Sequence, residues 1–150
     1  MATTTHPPRT CSVARTLEVV GEKWALLAVR EVFLGCRRFE EMLQNIGAPR
    51  DTLAARLRTL VEHGILERRQ YSEHPPRDEY VLTAAGRDLY PVIISLMQWG
   101  DRHRPLDGGP PMVLEHDCGH RLDAQLDCAH CGQRVDPRRV SRVTRVTADR

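Results

Sequence analysis

The sequence has no long apolar run, little net charge and few aromatic residues. No segment approaches the ~20 consecutive apolar residues that a membrane-spanning helix needs, and residues 1–9 lack the apolar stretch of a secretory signal. We therefore expect a cytoplasmic protein without a membrane partner. The formal net charge is only +2 over 150 residues, so a basic surface for nucleic acid would have to arise from local clustering.

Patterns typical of enzymes are also missing. The sequence shows no arrangement that resembles a catalytic triad, a phosphate-binding glycine loop or a paired carboxylate site. His6, His63, His74 and His103 are scattered and are expected at surface or capping positions. The length suits one compact domain with a small appendage. We therefore expect a binding protein rather than an enzyme.

Apolar periodicity predicts four helices in the first part of the chain. A short helix, capped by Thr10 or Ser12, carries Val13, Leu17 and Val20 on one face. The second helix, over residues 23–33, is apolar nearly all round. Such a helix is normally buried at the centre of a domain.

The next two helices form a helix-turn-helix pattern. The third carries Phe39, Met42, Leu43 and Ile46 at helical spacing, and Gly47 suits its C-cap. The fourth occupies about residues 49–63 and starts at a proline, a residue favoured at helix starts. Two short helices joined by a glycine-containing turn are typical of this motif.

The period then changes to that of strands. Residues 65–71 and 77–82 alternate around a turn at 72–76, which predicts a β-hairpin over about residues 66–82. Thr83 is expected to cap a last helix that runs to about Arg104, with Leu89, Ile93, Leu96 and Met97 on one face. Pro91 should kink or restart this helix.

The helix pair and the hairpin together predict a reader of duplex DNA. The major groove is about 12 Å wide and admits one helix, whose outer face must be small or polar. The fourth helix meets this requirement, although an ordinary amphipathic helix with a solvated face would look the same. The hairpin that follows adds arginines suited to phosphate or minor-groove contact. The candidate DNA-binding residues are Arg50, Thr52, Ala55, Arg56, Arg58, Arg68 and Arg77.

Residues spread along the chain match the pattern of one family: Cys11, 21–24, 38–39, 41–42, 46–53, 56–57, Leu60, 64–66, Arg68, Tyr71, 75–77, 79–80, 82–83, Gly86 and Trp99. On these residues, the chain resembles the HxlR family of winged helix-turn-helix regulators, which are relatives of the MarR type. The resemblance covers about residues 11–102. Two positions depart from the family pattern: Glu22 stands where glycine is common, and Ala48 precedes Pro49 where a hydroxylated residue is common.

The resemblance implies a mainly helical α+β fold: a three-helix core with a β-hairpin wing and a long C-terminal dimerisation helix. It also implies a homodimer in which the first and last helices pack across a two-fold axis. In several family members a cysteine at the place of Cys11 senses reactive compounds, which makes a small molecule or reactive electrophile a candidate effector. The alternative is an inert cysteine at the dimer interface, and Cys36 is expected to be packed.

The C-terminal segment predicts a small zinc ribbon. Residues 118–123 repeat as residues 131–136. Zinc takes four ligands in a structural site, and three cysteines with one histidine are a common set. The predicted ligands are Cys118, Cys128, Cys131 and His116, with His120 or His130 as substitutes for the last. A redox-active Cys128/Cys131 pair and a ribbon that folds without metal are the alternatives.

These expectations divide the chain into four parts. Residues 1–9 form a flexible arm, 10–104 the winged-helix dimer domain, 105–111 a linker, and 112–150 the zinc-ribbon-like appendage and tail. The predicted function is regulation of transcription by binding an imperfect palindrome in double-stranded DNA. A metal- or thiol-responsive sensor and a protein-interaction module built on the same scaffold are the alternatives.

Overall fold

The computed structural model describes residues 11–142, in two compact units that divide between Leu96 and Met97. The division lies inside the last α-helix, before the predicted linker at 105–111. The predicted arm at 1–9 and the end of the tail lie outside the described residues. The elements are α1 (Ser12–Val20), α2 (Lys23–Phe33), α3 (Phe39–Ile46), α4 (Arg50–Glu62), β1 (Leu66–Glu73), β2 (Pro76–Leu82), α5 (Ala84–Arg87), α6 (Tyr90–His103) and a 3-10 turn (Pro137–Arg139).

The core of the first unit forms around α2, as the apolar sequence of that helix predicts. Ala28 and Val29 of α2 are fully buried, and so is Met42 of α3. The small side chain of Ala28 lets the neighbouring helix approach closely. This arrangement of α2, α3 and α4, followed by the hairpin, is the predicted winged helix-turn-helix.

The ends of α3 and α4 are set by local sequence. Gly47 adopts a left-handed conformation with φ 68°, and its N–H donates to the Leu43 carbonyl at 3.0 Å. Pro49 occupies the N-cap of α4, so the helix agrees with the predicted 49–63 to within a residue at each end. The predicted cap of α1 was wrong: Cys11 stands at the N-cap and makes no side-chain capping hydrogen bond.

The wing is an antiparallel hairpin whose strands extend further toward the tip than predicted. Leu66 pairs with Leu82 at the base, and Glu73 pairs with Pro76 at the tip. The Tyr80 N–H of β2 also donates to the Arg37 carbonyl at 2.8 Å. This bond attaches the wing to the link between α2 and α3.

One hydroxyl organises the junction between α4, the wing and α5. The Thr83 hydroxyl accepts the Gly86 N–H at 3.0 Å and donates to the Gly64 carbonyl. The Thr83 N–H donates to the Ile65 carbonyl at 3.2 Å. Thr83 therefore caps a helix as predicted, but that helix is the single turn α5.

The chain starts a new helix at Tyr90, next to Pro91, where a restart was predicted. The one buried residue of α6 is Ile94, which lies apart from the face over Leu89, Ile93, Leu96 and Met97. Val92 is 46% exposed and Leu96 51% exposed. Helical periodicity identifies the apolar positions of α6, but it does not determine which of its apolar faces packs against the core. None of the described helices is long and apolar enough to cross a membrane.

We predict that Gly86→Ala destabilises the first unit by about 1–3 kcal/mol, the usual cost of overpacking. A Cβ at this position would collide with the Ile65 carbonyl oxygen and touch Leu82 at 3.0 Å. That carbonyl cannot easily move, since it accepts the Thr83 N–H. Denaturant unfolding measures the effect.

Gly100→Ala is the matched control for this substitution. Gly100 lies inside α6 with no atom within 4 Å of an added Cβ. Alanine is favoured over glycine inside a helix by about 1 kcal/mol, so this variant should be as stable as the parent or more so. Equal stability of the Gly86→Ala variant and the parent would contradict the close approach.

Candidate nucleic-acid interface

Helix α4 presents one side to the core and the other to solvent. Leu53, Leu57 and Leu60 are fully buried. On the opposite side Arg58 is exposed, while Thr52 and Ala55 are half-buried. A short, partly polar surface of this kind suits a helix that lies in the major groove.

Arg50, at the start of α4, is engaged within the protein. Its Nη1 and Nη2 donate to Glu40 Oε1 and Oε2 at 2.8 and 2.7 Å, a bidentate fork that links the first turns of α3 and α4. The hydrogen bonds from Arg50 lower the pKa of Glu40, and Glu40 in turn raises the pKa of Arg50. For Arg50 to contact DNA, a phosphate or base must replace the Glu40 carboxylate as the acceptor or share the guanidinium with it.

Arg56 is the least accessible of the candidate arginines. The residue is half-buried, and its Nε is buried without a hydrogen-bond partner among the described residues. An unsatisfied buried donor costs about 1–3 kcal/mol. Arg56 is therefore less accessible to a partner outside the protein than the other candidate arginines.

The two candidate arginines of the wing differ in whether they form an ion pair. Arg68 forms an ion pair with Asp78 on the facing strand. Arg77 is exposed near the tip, and within residues 11–142 no ion pair involves it or Arg58. Among the exposed candidate arginines, Arg58 and Arg77 are therefore the two whose donors can meet DNA without losing an ion-pair partner within residues 11–142.

Sequence reasoning missed the residues that position this surface. Glu40 holds Arg50, and Arg37 contributes the carbonyl that binds the wing. The Arg38 guanidinium lies 4.8 Å from the centre of the Tyr71 ring on β1, within the range of a cation–π contact. The sequence shows Glu40 as an acidic residue in the first turn of α3. It does not show that Glu40 pairs with Arg50, ten residues later.

Comparison with known proteins identifies the family. The model of the HxlR-like helix-turn-helix family matches residues 19–107, more than half of the chain. The chain belongs to this family. An HTH-type transcriptional regulator from Mycobacterium tuberculosis is 52% identical over 131 residues, which covers 87% of this HxlR-family chain and 83% of the relative. The chain is therefore a DNA-binding transcriptional regulator rather than an enzyme.

Solved structures confirm the winged-helix fold. The crystal structure of PA1607, assigned as a transcription factor, matches with a TM-score of 0.77 and 35% identity over 97% of this chain and 100% of that chain. The redox regulator HypR in its oxidised form matches with a TM-score of 0.59 and 34% identity, over 64% of this chain and 100% of that chain. The likeness to PA1607 thus extends into the C-terminal unit of this HxlR-family chain.

The two cysteines of the first unit have opposite environments. Cys11 is exposed at the N-terminus of α1, where the backbone N–H groups of Ala14 and Val13 lower the pKa of its thiol. Burial and the nearby Glu31 raise the pKa of Cys36, whose sulfur also accepts a hydrogen bond from Asn45 at 3.3 Å. Only Cys11 combines access with a stabilised thiolate, which is the requirement for a reactive cysteine.

The predicted zinc ligands lie in two short turns of the second unit. His116 and Cys118 belong to the first turn, and Cys128 and Cys131 to the second. The thiols of all three cysteines are free. Between residues 11 and 142, no three histidine, cysteine or acidic side chains form a group that could hold a metal ion.

Proposed function

We propose that this HxlR-family regulator binds an imperfect palindrome in duplex DNA as a homodimer. Helix α4 lies in the major groove of each half-site, and the wing over β1 and β2 contacts the flanking backbone or minor groove. The observation that carries this proposal is the two-sided burial of α4, with three leucines inside and Arg58 outside.

The arginines of this surface divide between bases and phosphates. In the groove, Arg58 is placed to reach base edges together with Thr52 and Ala55, and Arg50 and Arg56 contact the sides of the groove. On the wing, Arg77 contacts a phosphate. Arg68 is a weaker contributor, because DNA must compete with Asp78 for its guanidinium.

Exposed apolar residues on the first and last helices support the homodimer. Val13 and Leu17 of α1 are 65% and 53% exposed, and they lie on one face of the helix at i and i+4. Val92 and Leu96 of α6 have the same spacing. Apolar stripes of this kind on a soluble protein are typical of an interface. A two-fold dimer presents two α4 helices, which explains why the operator should be palindromic.

We predict that Arg58→Ala weakens binding to the DNA upstream of the regulator's own gene by about 1–3 kcal/mol, the loss expected for a base-reading arginine. Arg77→Ala should weaken binding to all sequences and reduce the salt slope by about one, as for a lost phosphate contact. A gel-shift titration at several salt concentrations separates the two effects.

Arg139→Ala is the charge-matched control for these variants. It removes the same charge from an exposed site in the second unit and should leave affinity and salt slope nearly unchanged. If Arg58→Ala binds the upstream DNA like the parent, the placement of α4 is wrong. If the parent itself shows no preference over random DNA of equal length, the winged helix serves another partner, such as a protein.

We predict that Leu96→Asp converts the dimer into monomers, because a carboxylate would be buried at an apolar interface. Sedimentation at micromolar concentration measures the change in mass. Leu106→Asp is the control, since Leu106 is 60% exposed outside the helices and its substitution should leave the dimer intact. A monomeric parent protein would exclude the proposed assembly.

A thiol response through Cys11 is a second proposed function. Cys11 is exposed and has a lowered pKa, and one structural neighbour is described as a redox regulator. Because α1 also carries the exposed Val13 and Leu17, a modified Cys11 would lie at the start of the proposed interface. A reactive electrophile or oxidant could thereby change the dimer and its affinity for DNA.

We predict that Cys11 alkylates faster than Cys36 at neutral pH. The thiolate is the reactive form, so the rate at Cys11 should rise with pH through a lower midpoint than the rate at Cys36. Mass spectrometry of each cysteine after timed iodoacetamide treatment measures this. Cys11→Ser should abolish any loss of DNA binding on oxidation, whereas Cys36→Ser should not. Equal, slow alkylation of both thiols would favour the alternative that Cys11 is an inert cysteine at the dimer interface.

A further inference from the structure

The two turns of the second unit share one pattern of backbone hydrogen bonds. In the second turn, the Cys128 N–H donates to the Gln133 carbonyl at 2.9 Å, and the Gly132 N–H donates to the Cys128 carbonyl at 2.7 Å. In the first turn, the His116 N–H donates to the His120 carbonyl at 2.9 Å, and the Gly119 N–H to the His116 carbonyl at 2.8 Å. His116 thus makes both of the bonds that Cys128 makes.

The flanking residues repeat the same correspondence. A backbone bridge joins Glu115 to Arg121 around the first turn and Asp127 to Arg134 around the second. The first turn is therefore one residue shorter than the second. When residues 118–123 are aligned with residues 131–136 without a gap, Glu115 corresponds to Cys128. The backbone hydrogen bonds instead make His116 the equivalent of Cys128.

Both turns have the form of a zinc knuckle. Gly119 and Gly132, which directly follow Cys118 and Cys131, have φ of 82° and 68°, a left-handed conformation that favours glycine. In the second turn, the backbone N–H groups of His130 and Cys131 face the Cys128 sulfur. Backbone donors around a sulfur stabilise the thiolate that a metal requires.

The ring of His116 is oriented for coordination through Nε2. Its Nδ1 lies 2.8 Å from Asp117 Oδ1 and accepts a hydrogen bond from the Cys118 N–H at 3.3 Å. Among the described residues, no hydrogen bond or ion pair involves Nε2 of this ring. A carboxylate that receives the second ring nitrogen is the usual partner of a metal-binding histidine.

The second unit also lacks another means of stabilisation. None of its described residues, 97–142, is buried, and its described cysteines form no disulfide. A segment this short cannot form a sufficient core and usually needs a metal or a covalent cross-link. Two regular turns without a core indicate that something else joins them.

We propose that the second unit binds one zinc ion through Nε2 of His116 and the sulfurs of Cys118, Cys128 and Cys131. Each turn supplies two ligands, and the ion joins the two turns. Three thiols lose their protons on binding. Three sulfurs and one nitrogen in tetrahedral geometry are a common structural zinc set, and these soft ligands disfavour magnesium and calcium.

Metal analysis of the full-length protein, purified without chelator, tests this site. The expected result is one zinc per chain, falling to near zero in Cys128→Ser. His116→Gln should lower occupancy strongly, whereas the matched variants His120→Gln and His130→Gln should retain the full amount. His116→Cys should restore binding, because a fourth sulfur would stand in the position equivalent to Cys128.

Cobalt substitution checks the ligand set independently of zinc affinity. The parent should show sulfur-to-cobalt charge-transfer absorption, which rises in His116→Cys as a thiolate is added. Far-UV circular dichroism of each variant verifies that the first unit is folded. Absence of metal together with a Cys128–Cys131 disulfide would overturn the proposal, and so would full zinc occupancy in His116→Gln.

Discussion

The orientation of α4 depends on three leucines packed against α2. Leu53, Leu57 and Leu60 are fully buried, so α4 cannot rotate about its axis without exposing them. Ala28 of α2 is also fully buried, and its small side chain permits the close approach. The direction of the exposed side chains of α4 follows from this contact, as does the position of the wing, since Leu66 of β1 joins the same core.

The charges near α4 explain how a chain of low net charge can bind DNA. Two of the five candidate arginines have acidic partners: Glu40 for Arg50 and Asp78 for Arg68. These exposed pairs contribute little to stability, but they set the orientation of the guanidinium groups before DNA arrives. A partly neutralised surface of this kind limits non-specific attraction to phosphates. In the proposed complex, affinity then depends more on the fit of α4 to particular bases.

Local signals made the helix-turn-helix and the wing predictable. Gly47, Pro49 and Gly64 act within one turn of their own position, so helix boundaries could be inferred from sequence. The buried face of α6 could not, because the contact of Ile94 with the rest of the unit is decided by tertiary packing. The Glu40–Arg50 fork joins two helices and has no local pattern. The equivalence of His116 and Cys128 was hidden because a one-residue shorter turn shifts the repeat.

The two units are stabilised by different physical means. The first unit buries its apolar residues around α2, whereas the second has short turns without a buried side chain among its described residues. A Cys128–Cys131 disulfide would close a loop within one turn, which constrains the unfolded chain little and leaves the other turn unattached. A metal ion bound by both turns closes a longer loop, which runs from residue 116 to residue 131, and so links the two turns. The proposed zinc site therefore accounts for an ordered second unit, and a redox-active dithiol does not.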